Sequence, residues 1–121
     1  MYAFNTDVIW IGAGYIAQGI TTTIMVSCMA LLLGLLIGLP LGVFRASHPA
    51  GVLRKITDGY IEIFRNIPVL VQIVWFYYVL PIMTGVNFDP ITAAIIALGL
   101  NTSAFLAEIF RGGINGVPTG Q

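Results

Sequence analysis

The sequence is poor in charged residues. Lys, Arg, Asp and Glu make up 8% of its 121 residues, and the net charge is zero. An ordinary soluble domain carries about 25% of these residues, because polar groups have to cover its surface. Hydrophobic residues make up 58% of this chain instead. The shortage of charge argues against a water-soluble fold and indicates an all-α integral membrane protein.

Residues that carry chemistry are also scarce. Cys28 is the only cysteine and His48 the only histidine, so the sequence predicts neither an internal disulfide nor a metal site. It has no Gly-rich phosphate loop ending in Gly-Lys-Ser or Gly-Lys-Thr, the loop that binds ATP in many ATPases. A basic cluster of the nucleic-acid-binding kind is missing too. We therefore expect no catalytic residue, no cofactor in this chain and no nucleic-acid partner.

The few charged residues leave three long uncharged segments, which predict about three membrane-spanning helices. The segments are 8–44, 66–88 and 90–107, each near or above the roughly 18 residues that suggest a span. Glycines interrupt the first third of segment 8–44, so we expect that span to begin near Thr21, with Thr21 to Thr23 as caps. The expected spans are 21–44, 64–83 and 90–110. Residues 1–18 are expected to form an extracytoplasmic or interfacial segment.

Two shorter patterns add detail to the first two spans. Gly34, Gly38 and Gly42 recur every four residues, so they share a helix face on which another helix can pack closely. Pro40 lies between two of them and is expected to kink this helix or loosen its last turns. Between Leu53 and Ile67, apolar residues recur at three- and four-residue spacings. This spacing predicts an amphipathic helix, which Pro68 would end or kink.

The basic residues predict an orientation. Arg45, Arg54, Lys55 and Arg65 all lie between the first two expected spans, and Arg111 follows the third. Basic residues collect on the cytoplasmic side of membrane proteins. We therefore expect the N-terminus outside and the C-terminus in the cytoplasm.

Four short strings resemble the inner-membrane permease subunits of polar amino-acid ABC importers. They are YIEIFRNIPVLVQ at 60–72, AEIFRGGI at 107–114, VPTGQ at 117–121 and, more weakly, GITTTI at 19–24. Their order and spacing resemble the histidine-, glutamate- and glutamine-type permeases over residues 19–121. The resemblance implies that 19–121 is the first half of a type I ABC transmembrane domain, truncated before the Glu-Ala-Ala loop that docks on the ATPase.

The resemblance also implies a function and a set of partners. The chain would be a permease subunit that carries a polar amino acid across the bacterial inner membrane, driven by a separate ATPase subunit that binds ATP and Mg. The other implied partners are a second permease copy or a paralogue, an extracytoplasmic amino-acid-binding protein, and membrane lipid. Two alternatives stay open: another multi-span carrier or channel, and a membrane scaffold without transport. A carrier would show paired intramembrane charges or inverted half-repeats, and neither is evident in the sequence.

The candidate site residues fall into three groups besides the packing glycines. The motif at the start of the second span comprises Tyr60, Glu62, Arg65 and Pro68. Glu62 and Arg65 are expected either to hold that start in place or to form an interfacial pair in which Arg65 reaches water. The polar groups within the bilayer either line the pathway or hydrogen-bond between helices; they are Gln72, Asn101, Thr102 and Ser103. The approach to the ATPase is expected to comprise Glu108, Arg111, Gly113, Pro118, Gly120 and Gln121.

Overall fold

The structure, a computed structural model, describes residues 5–48, 50–118 and 120, and this part of the chain is helical without strands. Helices α2 and α6 are each long and apolar enough to cross a membrane, and α3 with Val69–Thr84 forms a bent pair that would make a third span. The predicted all-helical membrane fold is therefore confirmed. The elements are α1 (Asp7–Ile11), α2 (Ala13–Ser47), α3 (Val52–Asn66), α4 (Val69–Val74), a π-helical segment (Trp75–Val79), α5 (Leu80–Thr84) and α6 (Pro90–Asn115).

Helix α2 begins earlier than the sequence predicts. It begins at Ala13, so the expected start near Thr21 is wrong. The helix then continues through Pro40 and ends at Ser47. Glycine in a helix interior costs only about 1 kcal/mol relative to alanine, too little to end a helix of this length. The hydroxyls of Thr21 and Thr23 donate to the carbonyls of the preceding turn, at 3.0 and 2.8 Å. These threonines therefore lie inside the helix and do not cap it.

The second span is broken at Pro68. Helix α3 ends at Asn66, and the helical stretch Val69–Thr84 leaves it at an angle of 104°. Ile67 is extended, with φ −88° and ψ 128°, because the ring of the following proline disfavours the helical conformation at that position. The expected span 64–83 is thus not one helix: its first residues belong to α3, and a second helical stretch starts at Val69.

A wide helical turn follows in the same stretch. The N–H of Leu80 donates to the carbonyl of Trp75, five residues earlier, which is the hydrogen-bond pattern of a π-helix. Pro81 comes directly after this turn. Since proline has no N–H to donate and its ring crowds the carbonyl four residues before it, a widened turn accommodates it. Gly85, with φ 75°, then ends α5 in the left-handed conformation.

Helix α6 starts at the residue that the sequence predicts. The carboxylate of Asp89 accepts a hydrogen bond from the N–H of Thr92 at 3.2 Å, and Pro90 occupies the first turn. Hydrogen bonds from the Thr92 side chain and backbone lower the pKa of Asp89. A lowered pKa means that the cap is complete while the carboxylate is ionised and weakens as the pH falls through that pKa.

Helices α2 and α6 pack against each other in parallel. Going along α2, Gly34 faces Thr102, Gly38 faces Ser103 and Leu106, and Gly42 faces Ala107 and Phe110. Both sets of numbers rise together, so the two helices run in the same direction. Helix α6 also carries small buried residues, which are Ala93, Ala97, Ser103, Ala104 and Ala107.

Helix α3 packs along the second half of α6 in the opposite direction. Ile61 is 2% exposed and contacts Ala104 and Ala107. Tyr60 lies against Ser103, while Phe64, one turn later, lies against Asn101. As α3 advances, it meets earlier residues of α6. It therefore approaches the middle of α6 before the chain turns at Pro68.

We expect the Gly38→Ala substitution to destabilise the pairing of α2 and α6. A Cβ at position 38 would lie 2.7 Å from the carbonyl oxygen of Ser103, and backbone cannot move aside as a flexible side chain could. Overpacking of this kind costs about 1–3 kcal/mol. Thermal unfolding of the purified protein in detergent measures the change.

Gly19→Ala is the matched control on the same helix, because no atom that the structure describes lies within 4 Å of its added Cβ. Alanine there should leave stability unchanged or raise it by up to about 1 kcal/mol. Equal effects of the two substitutions would contradict close packing at Gly38.

Candidate functional site

A network of five charged side chains joins α2, α3 and α6 at the end of α2. The guanidinium of Arg45 bridges two carboxylates, with its Nε 2.7 Å from Asp58 and its Nη1 on Glu108. Asp58 also accepts from Arg54, with 3.0 Å between Nε and Oδ1, and Glu108 also accepts from Arg111. The Arg45 side chain is only 11% exposed. It is the link that connects a pair within α3 to a pair within α6.

Arg54 has a second role at the end of α2. Its Nη1 donates to the carbonyl oxygens of Arg45 and His48, at 2.6 and 2.7 Å. The last carbonyls of a helix have no partner within the helix, and a cation near them is also favoured by the helix dipole. Arg54 therefore caps α2 and fixes the turn into α3.

Only two members of this network, Glu108 and Arg111, are among the candidate site residues that the sequence predicts. These two residues form one ion pair, and Arg54 and Asp58 form another one turn apart within α3. The central role of Arg45 was missed, because its partners lie 13 and 63 residues away in the chain. The available signal was its position as the first charged residue after a long apolar segment, where an unpaired cation would be costly.

The break at Pro68 exposes backbone carbonyls, and two amide side chains bind them. The carbonyl of Phe64 accepts from Gln72 Nε2 at 2.9 Å and from Asn101 Nδ2 at 2.7 Å, and Gln72 Nε2 also donates to the carbonyl of Ile67 at 2.9 Å. Gln72 is 5% exposed. Irregular backbone inside a membrane is tolerated where neighbouring side chains satisfy it in this way. The two amides therefore stabilise the bend.

The remaining polar candidates on α6 also contact neighbouring helices. The Ser103 hydroxyl donates to the Leu100 carbonyl at 2.7 Å and lies 2.6 Å from the hydroxyl of Tyr60. The Thr102 side chain packs against the face of Gly34. Their contacts correspond to the interhelical role that the sequence left open, while a place on the pathway stays a prediction.

The motif at the start of the second span is only partly brought together. Tyr60 lies in the interface with α6, and Pro68 sets the break. Glu62 and Arg65 are both exposed, and these two described side chains form no ion pair with each other, so the expected interfacial pair is wrong. Their expected role in holding the start of the span stays a prediction. Arg65 instead lies 5.5 Å from the centre of the Phe105 ring, a cation–π distance, because α3 turns this residue towards α6.

The residues expected to approach the ATPase extend beyond the charged network. Gly113 lies in the last turn of α6, and Pro118 and Gly120 follow the helix; all three are exposed. Gln121 lies outside the described residues. The charged network therefore holds the end of α6, and an exposed segment continues from it.

We expect Arg45→Met to weaken the joint between the three helices. Methionine preserves much of the side-chain length but removes the bridge, leaving Asp58 with Arg54 and Glu108 with Arg111. Each carboxylate keeps one cation, so the loss should be that of charged hydrogen bonds, about 1–3 kcal/mol. Thermal unfolding in detergent measures it.

Lys55→Met is the control, because it removes one positive charge from an exposed position of α3 that takes no part in the network. If both variants unfold at the same temperature, Arg45 does not join the helices.

Comparison with known proteins assigns this chain to a family. The family model for the binding-protein-dependent transport system inner membrane component matches residues 38–121. A relative from Rickettsia prowazekii is 36% identical over 107 residues, which cover 88% of this chain and 49% of that protein. The arginine transport system permease of Bacillus subtilis is 33% identical over 107 residues, covering 88% of this chain and 48% of that protein. The chain thus spans about half the length of the curated relatives it matches.

Solved structures agree with the sequence comparison. The crystal structure of an amino-acid ABC transporter with histidines matches 99% of this chain and 55% of its own, with a TM-score of 0.82 and 29% identity. The inward-facing MetNI methionine ABC transporter matches in fold, with a TM-score of 0.72 and 24% identity over 97% of this chain and 55% of its own. The chain belongs to the family of binding-protein-dependent transport system inner membrane components.

Proposed function

We propose that this chain is a permease subunit of an ABC importer and forms part of the path of a polar amino acid across the bacterial inner membrane. The observation that carries the proposal is similarity along nearly the whole chain to permeases of one substrate class. Relatives named for arginine and glutamine transport match 88% and 97% of it. The fold also matches that of an amino-acid ABC transporter at a TM-score of 0.82.

The orientation is part of the proposal. Because α2 and α6 run in parallel, their C-terminal ends lie on one side, and the charged network joins them there. That side carries the basic residues of the turn into α3 as well as Arg111. The positive-inside rule assigns such a side to the cytoplasm. The N-terminal segment is then extracytoplasmic.

The exposed segment after the network is the proposed contact with the ATPase. A Cβ added at Gly112 or Gly113 would meet no described atom within 4 Å, so this surface is open in the structure. Arg45 ties the end of α6 to α2 and α3. A displacement of residues 112–118 by the ATPase would therefore be transmitted to all three helices. The energy of ATP, bound with Mg in the partner, would enter the permease by this route.

Reconstitution of the full-length permease with its ATPase and its binding protein tests the proposal. We expect proteoliposomes to accumulate L-glutamine or L-arginine only when ATP is supplied on the ATPase side. Gly113→Trp should lower the amount of ATPase that copurifies by about 10-fold, the effect of losing ~1.4 kcal/mol of binding. Gly14→Trp should leave it unchanged, because it places the same side chain in equally open space at the other end of the structure.

Three results would contradict the proposal. Uptake that needs no ATP would indicate another carrier or a channel. A wild-type permease that never copurifies with a nucleotide-binding subunit would indicate a membrane scaffold. Loss of the ATPase from both tryptophan variants would place the contact elsewhere.

A further inference from the structure

The last turns of α3 carry polar side chains on the side away from α6. Ile61 and Phe64 face α6, where Ile61 packs against its alanines and the Phe64 carbonyl accepts a hydrogen bond from it. Glu62 and Asn66 lie one turn apart on the other side of α3, because each residue of an α-helix turns by about 100°. Both are exposed, as is Arg65 between the two sides. The outward side of α3 is therefore polar and uncovered by the described helices.

The depth of these side chains in the membrane follows from the packing of α6. The guanidinium of Arg65 lies 5.5 Å from the centre of the Phe105 ring. Gly38 of α2 packs against Leu106, the next residue of α6, so Phe105 lies near the level of Gly38. Gly38 precedes Arg45 by seven residues, which is about 10 Å along a helix that rises about 1.5 Å per residue. Arg65 is therefore about 10 Å further into the apolar layer than the charged network.

Neither charge is neutralised by an ion pair within the described part of the chain, where the ion pairs are those of the charged network. Glu62 lies one turn before Arg65 on α3 and so only slightly closer to the network. Charged residues inside a membrane face the bundle interior or a water-filled cavity, and they mark the paths of ions and substrates. The polar side of α3 therefore requires a polar occupant that carries both signs of charge.

We infer that Glu62 and Arg65 bind the two charged groups of the transported amino acid as it passes α3; this rests on the proposed function. The Arg65 guanidinium donates to the carboxylate with a geometry that suits two parallel hydrogen bonds, and the Glu62 carboxylate accepts from the ammonium group. Side chains three residues apart on a helix have Cβ atoms about 5–6 Å from each other. An amino acid carries both of its charged groups on one carbon, so it can bridge the two.

The binding test separates the two charges of the ligand. The full-length permease with its ATPase, in phosphatidylcholine nanodiscs and without the binding protein, is titrated with L-glutamine or L-arginine, whichever the proteoliposomes accumulate. Two analogues are titrated in parallel: the methyl ester, which lacks the carboxylate charge, and the compound with hydrogen in place of the α-amino group. We expect wild type to prefer the amino acid over each analogue by about 10-fold, as for one lost charged hydrogen bond.

Each substitution should abolish one preference and keep the other. Arg65→Gln should bring the preference over the ester towards 1 and retain the preference over the compound without the amino group. Glu62→Gln should do the reverse. Arg65→Lys retains the cation and should restore most of the preference over the ester. Lys55→Gln, which removes an exposed charge of α3 about 10 Å from Glu62 along the helix, should keep both preferences.

Cysteine labelling tests whether this side of α3 faces water. In a Cys28→Ser background, Asn66→Cys should react with a membrane-impermeant thiol reagent added from the cytoplasmic side of the nucleotide-free transporter, and the amino acid should slow the reaction. Leu36→Cys is the control, because Leu36 is 66% exposed on the side of α2 away from α6 and lies near the level of Gly38. It should not react.

The outcomes separate this site from the proposed function. Equal weakening of all three ligands by Arg65→Gln and Glu62→Gln would indicate a structural role and overturn the inference, as would two unchanged preferences. Labelling at position 66 that the amino acid does not slow would also overturn it. If Arg65→Gln does not assemble, the Glu62 variant and the labelling decide. Absence of ATP-dependent uptake by the wild-type transporter would instead overturn the proposed function and, with it, the ligand named here.

Discussion

The close parallel contact between α2 and α6 is the constraint on which the rest of this structure depends. A methyl group added at Gly34, Gly38 or Gly42 would lie 2.7 or 2.8 Å from the nearest atom of α6. In lipid, apolar side chains gain little by leaving one apolar environment for another, so association depends on close packing. Glycine and alanine permit that packing here. Because the contact is parallel, it also brings the ends of both helices to the same place.

That shared end explains why the charges lie where they do. Arg45 leaves α2 beside Glu108 of α6, and α3 folds back so that Asp58 completes the bridge. The direction of α3 then carries its last turn to the middle of α6, where Pro68 breaks it. Gln72 and Asn101 satisfy the carbonyls at the break. The packing of α2 against α6 thus determines where the ion pairs form and where the broken span meets α6.

The sequence predicted those features that depend on local pattern. The helical fold, the glycine face and the start of α6 at residue 90 follow from composition, four-residue spacing and the position of the third uncharged segment. The start of α2 was missed because single glycines are weak breakers in a long apolar helix. The partners of Arg45 and the hydrogen bonds of Gln72 could not be predicted from the sequence, because these residues come close to their partners only when the helices pack. The spacing of Glu62 and Arg65 is compatible with an ion pair, but Arg65 instead forms a cation–π contact with Phe105 of α6.

Labelling with a membrane-impermeant thiol reagent tests the parallel arrangement most directly. Single cysteines are placed at Ser47, Gly113 and Gly14 in a Cys28→Ser background, and sealed vesicles of known orientation are labelled from each side. Cysteines at 47 and 113 should both react from the cytoplasmic side, and the cysteine at 14 from the opposite side. Reaction of 47 and 113 from opposite sides of the membrane would contradict the account.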